Sequence, residues 1–233
     1  MVFAGLQKLT LLDYPGHTAC TVFTRGCDCR CPFCHNPSLL SGDTEAETPE
    51  INEEEVLSFL SKRRGILDGV CITGGEPLLH PELKTFISKV REMGFGVKLD
   101  TNGTHPDYLR QLIEAGFISM VAMDIKNSPD LYGQTTGILH FDTASVLESA
   151  ALLMEGKVKY EFRTTVVEEL HTREGMLAVG KWLRGESPYY LQRFTDSGHI
   201  LRPGLHAPSK EKMESFRELL LPFLPNTALR GQD

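Results

Sequence analysis

An α/β architecture of parallel strands joined by helices is what this sequence predicts, on three observations. Strand-like apolar runs alternate with amphipathic helical stripes six times along the 233 residues. Each of those six strands runs into a polar cluster at its C-terminal end. Both nucleotide-sheet fingerprints, G-x-G-x-x-G after the first strand and G-x4-G-K-[ST] anywhere, are missing. The alternation implies right-handed crossovers, and six units are too few for a closed eight-stranded barrel. An open, partial barrel and a doubly wound sheet both satisfy it.

The elements follow in order. Residues 9–15 read as an opening strand or hairpin arm, and 17–24 as the first core strand, with Thr18, Cys20 and Val22 alternating against Ala19, Thr21 and Phe23. Residues 41–50 are polar and acidic without periodicity, a surface connection. Asn52 with Glu55 three residues on forms a capping box, and Ile51 can staple to Val56. A second strand spans 67–73. Pro81 then opens a helix with Leu83, Phe86, Ile87 and Val90 on one face and Gly94 as its stop. Strand 97–100, helix 106–115, strand 118–123 and helix 143–155 repeat the pattern. Val158, Tyr160 and Phe162 alternate as a fifth strand, Met176, Val179 and Leu183 stripe the next helix, and 189–194 is the sixth strand. Ser209 caps a last amphipathic helix carrying Met213, Phe216, Leu219 and Leu220.

Composition narrows the class of partner. The formal charge is -7 and no basic run exceeds Lys62-Arg63-Arg64, which disfavours nucleic acid. No apolar run approaches a membrane span, and the N-terminus lacks a charged-then-apolar signal segment, so the expected location is the cytoplasm. Thiols stay reduced there, and close cysteine groups favour metal or cluster binding over disulfides.

The stretch from Cys27 to Pro37 places four of the six cysteines within eight residues. Cys27, Cys31 and Cys34 have the spacing C-x3-C-x2-C. Thiolates that close converge on one inorganic centre, and three of them suit a four-iron cluster with one iron left open to chelate a small molecule. Structural zinc would need a second ligand pair, and none exists. Cys29 reads as a small filler, and Cys20 and Cys71 as packing residues in apolar strands. At the second strand end, Gly74-Gly75 allows close backbone approach, Glu76 offers a carboxylate to an ammonium group, and Pro77 rigidifies the exit. The remaining ends carry Asp100-Thr101-Asn102-Gly103, Asp124-Ile125-Lys126, Arg163-Thr164-Thr165 and Gln192-Arg193.

The cysteine loop followed about forty residues later by Gly74-Gly75-Glu76-Pro77 resembles the radical S-adenosylmethionine (SAM) superfamily. Cys31-Pro32-Phe33-Cys34-His35-Asn36-Pro37, Asp100-Thr101-Asn102-Gly103 and Asp124-Ile125-Lys126 narrow the resemblance to activating enzymes of glycyl radical enzymes. Closest are those of anaerobic ribonucleoside-triphosphate reductase, which the segment from Thr10 to Gly16 also resembles, and the pyruvate formate-lyase activating enzyme. The resemblance spans about residues 6–194. It implies a single domain over 1–233: a partial (β/α)6 TIM-like barrel of the radical SAM type with its core at about 17–194, and a C-terminal extension at 195–233.

The same resemblance implies the site. Cys27, Cys31 and Cys34 would ligate a [4Fe-4S] cluster and carry the catalysis, with Phe33 near the adenine of SAM. Glu76 and the Gly74-Gly75 backbone, closed off by Pro77, would hold the methionine amine. Asp124, Lys126 and Arg163 would surround its carboxylate and the ribose, and Asn102 would either touch the cofactor or only shape its turn. Asp100, Thr101 and Asp124 match positions that hold a monovalent cation in the formate-lyase activator. That enzyme has a histidine where this chain has Gln192-Arg193, which leaves a contact from Gln192 open. His35 reads as a loop hydrogen-bonder. The implied partners are a glycyl radical enzyme as protein substrate and a low-potential electron donor such as flavodoxin or ferredoxin, since no second cysteine group could hold an auxiliary cluster. Two other readings stand beside this one. One is a radical SAM enzyme acting on a small molecule, like the 7-carboxy-7-deazaguanine synthases. The other is a non-enzymatic zinc or redox-sensing module.

Overall fold

The computed structural model describes residues 1–40, 50–196 and 198–231, so the surface connection expected at 41–50 lies outside the described residues except for Glu50. In chain order the elements are β1 (Val2–Phe3), β2 (Gly5–Thr10), β3 (Ala19–Thr24), β4 (Ile51–Asn52), α1 (Glu53–Ser61), β5 (Gly69–Gly74), α2 (Leu83–Glu92) and β6 (Gly96–Thr101). They continue with α3 (Pro106–Glu114), β7 (Met120–Asp124), α4 (Tyr132–Thr136), α5 (Ala144–Met154), β8 (Lys159–Val166), α6 (Arg173–Trp182), β9 (Tyr189–Arg193), α7 (Lys210–Leu220) and β10 (Thr227–Arg230).

The main sheet has the order β10-β9-β8-β7-β6-β5-β3-β2, parallel throughout except for β2, which pairs antiparallel with β3. Sheet neighbours follow chain order in one direction, with no reversal point. Right-handed crossovers then all fall on one face, and the sheet curls around the other. A doubly wound sheet is thereby excluded. The curled sheet stays open, with β2 and β10 as its edges.

Alternation along each strand sorts the two faces. Val70 and Ile72, Val97 and Leu99, Val121 and Met123 face outward into one core with the helices. Helix α2 adds Leu83, Phe86, Ile87 and Val90, all fully buried, each stabilising by roughly 1.5–3 kcal/mol. The caps are those the sequence predicts: Asn52 Oδ1 accepts from the Glu55 N–H at 2.9 Å, Glu55 Oε2 accepts from the Asn52 N–H at 3.1 Å, and Ser209 Oγ accepts from the Lys212 N–H at 3.1 Å.

Two expectations need correction. The opening strand is Gly5–Thr10, not 9–15. Thr10 Oγ1 accepts from the N–H groups of Leu12 and Asp13, at 3.2 and 3.1 Å, and turns the chain there; Leu11 and Leu12 are left exposed, so their apolar character does not mark a strand. At the other end, 195–233 is more than an appended helix. Helix α7 buries Met213, Phe216 and Leu220 and returns the chain to β10, which extends the sheet in parallel register from Thr227↔Tyr189 to Arg230↔Gln192. Four residues with no apolar alternation give a pattern reading nothing to detect.

Candidate active site at the open mouth of the barrel

The cysteine loop leaves the C-terminal end of β3 and is clamped at its base by the glycine pair on β5. Gly75 N–H donates to Thr24 O at 2.9 Å, and Glu76 N–H to Gly26 O at 2.7 Å. A Cβ on Gly75 would fall 1.8 Å from Gly26 O, and one on Gly74, whose φ is +121°, would fall 2.4 Å from Thr24 N. These glycines therefore serve the close approach of two backbones, and the Thr73-Gly74-Gly75 side of that contact lines the cavity. Further out, Arg30 Nη1 donates to the carbonyls of Cys27 and Cys29 at 2.5 and 2.9 Å, and Arg30 N–H to Thr136 O at 2.8 Å.

One cavity gathers most of the expected residues. Cys27, Cys31, Cys34 and Phe33 line it from the loop; Gly74, Gly75, Asp100, Thr101, Asn102, Asp124, Lys126 and Arg163 line it from the strand ends. Cys29 lines it too, with Thr73 and Thr165. The S–H of Cys29 bonds the sulfurs of Cys27 and Cys31, which holds Cys29 itself far above its ordinary range. The same bond brings the Cys27 thiol down to about 7, and the Cys31 thiol is lowered by Cys29 and by the nearby Lys126 ammonium. Burial raises Cys34. The carboxylate of Asp28 and the sulfurs of Cys27 and Cys29 lie within 4.8 Å of one another, and Asn102 Nδ2 donates to Asp28 Oδ1 at 2.6 Å. Against the cost of burial, the His105 imidazole 3.2 Å away, with Thr104 and Asn102, holds Asp28 at about 2.

The wall opposite is ionic. Arg163 Nη1 donates to Asp100 Oδ2 and its Nη2 lies on Asp124 Oδ1, both at 3.0 Å; Lys126 Nζ donates to Asp124 Oδ2 at 2.9 Å. Burial opposes these charges, but Lys126 and Arg163 still bring Asp124 down to about 2, while Asp124 raises both cations. The Lys126 backbone is fixed from behind, its N–H donating to Tyr132 Oη at 3.1 Å and its carbonyl 2.9 Å from His171 Nε2.

Several expectations change here. Glu76 does not line the cavity. It is fully buried, and its oxygens accept from Thr101 Oγ1 at 2.8 Å, Leu78 N–H at 3.0 Å and Asn102 N–H at 2.7 Å, so it ties the β5 turn to the β6 turn. Burial pushes its carboxyl up to about 8 despite those donors. Pro77 is buried behind it. Arg163 spans Asp100 and Asp124, so both carboxylates matched to a monovalent-cation site already carry a cationic side chain. Gln192 lines an adjoining cleft with His35, Thr165, Arg193 and Arg230. The His35 ring packs against Phe194, centroids 5.6 Å apart. Cys20 is an inert core thiol, pushed up to about 12 by burial. Cys71 is not in apolar company: its Sγ lies 3.7 Å from Asp100 Oδ1 and 4.0 Å from Lys98 Nζ. Lys98 itself was legible in one respect, standing two residues before Asp100 and so on the same strand face.

Comparison with known proteins identifies the family and the fold. The model of the radical SAM superfamily matches residues 21–172. A Methanocaldococcus jannaschii protein provisionally named a glycyl-radical enzyme activating enzyme is 28% identical over 97% of this chain and 95% of its own length. The 7-carboxy-7-deazaguanine synthase of Methanopyrus kandleri is 30% identical over 86% of this chain and 82% of its own. The pyruvate formate-lyase-activating enzyme of Clostridium pasteurianum is 32% identical over 54% of this chain and 52% of its own. Among solved structures, Streptococcus suis SuiB bound to S-adenosylmethionine superposes with a TM-score of 0.67 at 13% identity, covering 89% of this chain and 49% of that one. The chain thus spans about half of SuiB. QueE from Escherichia coli gives 0.59 at 17% identity, covering 98% and 92%. At such identities the likeness is one of fold.

Proposed function

The chain belongs to the radical SAM superfamily, and from that premise we propose that it activates a glycyl radical enzyme, an anaerobic ribonucleoside-triphosphate reductase, by removing hydrogen from a backbone glycine of that partner. Its cofactors as a member of the superfamily are a [4Fe-4S] cluster and SAM. The residues present fit both groups. Three soft sulfur donors on one side of the cavity suit the irons of a cluster, and the ammonium and guanidinium groups on the other suit the carboxylate of SAM.

When bound, the cluster would supply the single electron needed for reductive cleavage of the SAM sulfonium. Cys27, Cys31 and Cys34 would hold the cluster. Lys126 and Arg163 would orient the methionine carboxylate, fixed for that task by Asp124 and Asp100. Phe33 would cover the adenine. Glu76 would act from inside, holding the two turns whose backbones bound the methionine end. A flavodoxin- or ferredoxin-like donor would supply the electron.

The observation that carries this reading is the convergence of Cys27, Cys31 and Cys34 with Asp124, Lys126 and Arg163 on a single cavity at the strand C-termini. Choice of a protein glycine as substrate is supported by likeness to the Methanocaldococcus protein along almost the whole chain. Anaerobic EPR of the partner reductase, treated with this protein, SAM and reductant, is expected to show a glycyl radical doublet. Methionine and 5'-deoxyadenosine without that doublet would overturn the choice of partner. The identity to the Methanopyrus synthase favours a small-molecule substrate as a second reading, which product analysis for 7-carboxy-7-deazaguanine would test.

A further inference from the structure

Lys98 is 1% exposed, the one Lys or Arg that is buried among the described residues. It lies on β6 with its side chain inside the open barrel, beneath the cavity, and Asp100 follows on the same face. Lys98 Nζ donates to Asp100 Oδ1. Asp100 Oδ2 accepts from Arg163, Arg163 reaches Asp124, and the other oxygen of Asp124 accepts from Lys126. Five groups alternate in sign from the barrel interior to the cavity wall, and each carboxylate divides its two oxygens between two cations. Three positive groups against two negative leave this ladder with an excess positive charge. Without the first cation, Asp100 would have only Arg163 to neutralise it. The guanidinium would be drawn toward Asp100, and the hold of Asp124 on Lys126 would change with it.

We propose that Lys98 is a positioning residue for ligand binding: a built-in counter-ion that fixes Asp100 and, through it, the reach of Arg163 and Lys126 into the cavity. It makes a bound monovalent cation beside Asp100 unnecessary. The proposal rests on the reading of this cavity as the SAM site. Its chemistry is purely electrostatic, so a small cation from solution can replace an ammonium group where space is left for it.

The test measures SAM binding to anaerobically reconstituted, cluster-loaded protein by equilibrium dialysis, with EPR of the reduced cluster in the presence of SAM as a second readout. Wild-type affinity is expected to be the same in sodium, potassium or tetramethylammonium chloride at equal ionic strength. Lys98→Ala should bind SAM roughly tenfold more weakly in the bulky tetramethylammonium salt and recover in sodium or potassium. Lys98→Met, which fills the space without charge, should lose the same affinity and recover in neither. Wild-type dependence on a small cation overturns the proposal, and that arm decides even where a variant fails to fold. Undiminished affinity in Lys98→Ala overturns it as well, and so does a loss that no small cation restores. Lys126→Met separates the proposal from its premise. If Lys126→Met keeps full SAM affinity, the site reading itself fails; if it loses affinity while Lys98→Ala does not, only the role of Lys98 fails.

Discussion

Glu76 shows how far a single side chain can depart from its motif. Its carboxyl is poised near 8 in the fold against an ordinary 4.5, because burial outweighs three hydrogen-bond donors. Between those values the folded protein binds more protons than the unfolded chain, so stability declines as pH rises from about 4.5 to about 8 and levels off above. A shift of that size corresponds to roughly 5 kcal/mol. Urea unfolding should show the decline in the difference between wild type and Glu76→Gln, in which the opposing contributions of His35 and His171 cancel, and the variant loses one acceptor at every pH. A wild-type stability that does not fall relative to Glu76→Gln between pH 5 and 8 would contradict this. The cysteines divide at the same scale. Alanine at Cys27, Cys31 or Cys34 should remove most iron and sulfide from anaerobically prepared protein, whereas Cys29→Ala should retain both, as elemental and sulfide assays would show.

At the level of elements, the site depends on how tightly the β3 and β5 ends are pressed together. The overlap a Cβ would make with Gly26 O leaves no side-chain rearrangement to relieve it, since the obstacle is backbone. Gly75→Ala should therefore cost more than about 4 kcal/mol of stability and displace the cysteine loop, giving a lowered Tm together with poor iron retention. The glycine pair was legible as a site feature, but its function was not. A sequence shows that a backbone must come close to something; it does not show whether that something is a ligand or another strand. The same limit applies to Lys98, whose position in the strand pattern placed it inside the barrel without revealing the Asp100–Arg163–Asp124–Lys126 ladder it begins.

Across the whole molecule, the open barrel is held at one edge by an ion pair between strands that are not neighbours. Arg230 on β10 donates through both terminal nitrogens to Glu161 on β8, at 2.9 Å each, across the intervening β9; its guanidinium also lies 3.4 Å from the Tyr190 ring centroid. Glu161 is 3% exposed, so Arg230→Met would strand a buried carboxylate and cost on the order of 3 kcal/mol by chemical denaturation. The double variant with Glu161→Gln should recover part of that loss. Unchanged stability in Arg230→Met would show that β10 is not held in this way.

From its order of residues alone this chain determined six of its parallel strands, the caps at Asn52 and Ser209, and the three-cysteine spacing, because periodicity, capping and ligand spacing are local and survive in one dimension. Tertiary structure decided the rest. The turning inward of Glu76, the spanning of Asp100 and Asp124 by Arg163, the counter-charge from Lys98 and the added strand at Thr227–Arg230 all depend on partners brought together by the curl of the sheet, and burial sets their charges only once that curl exists.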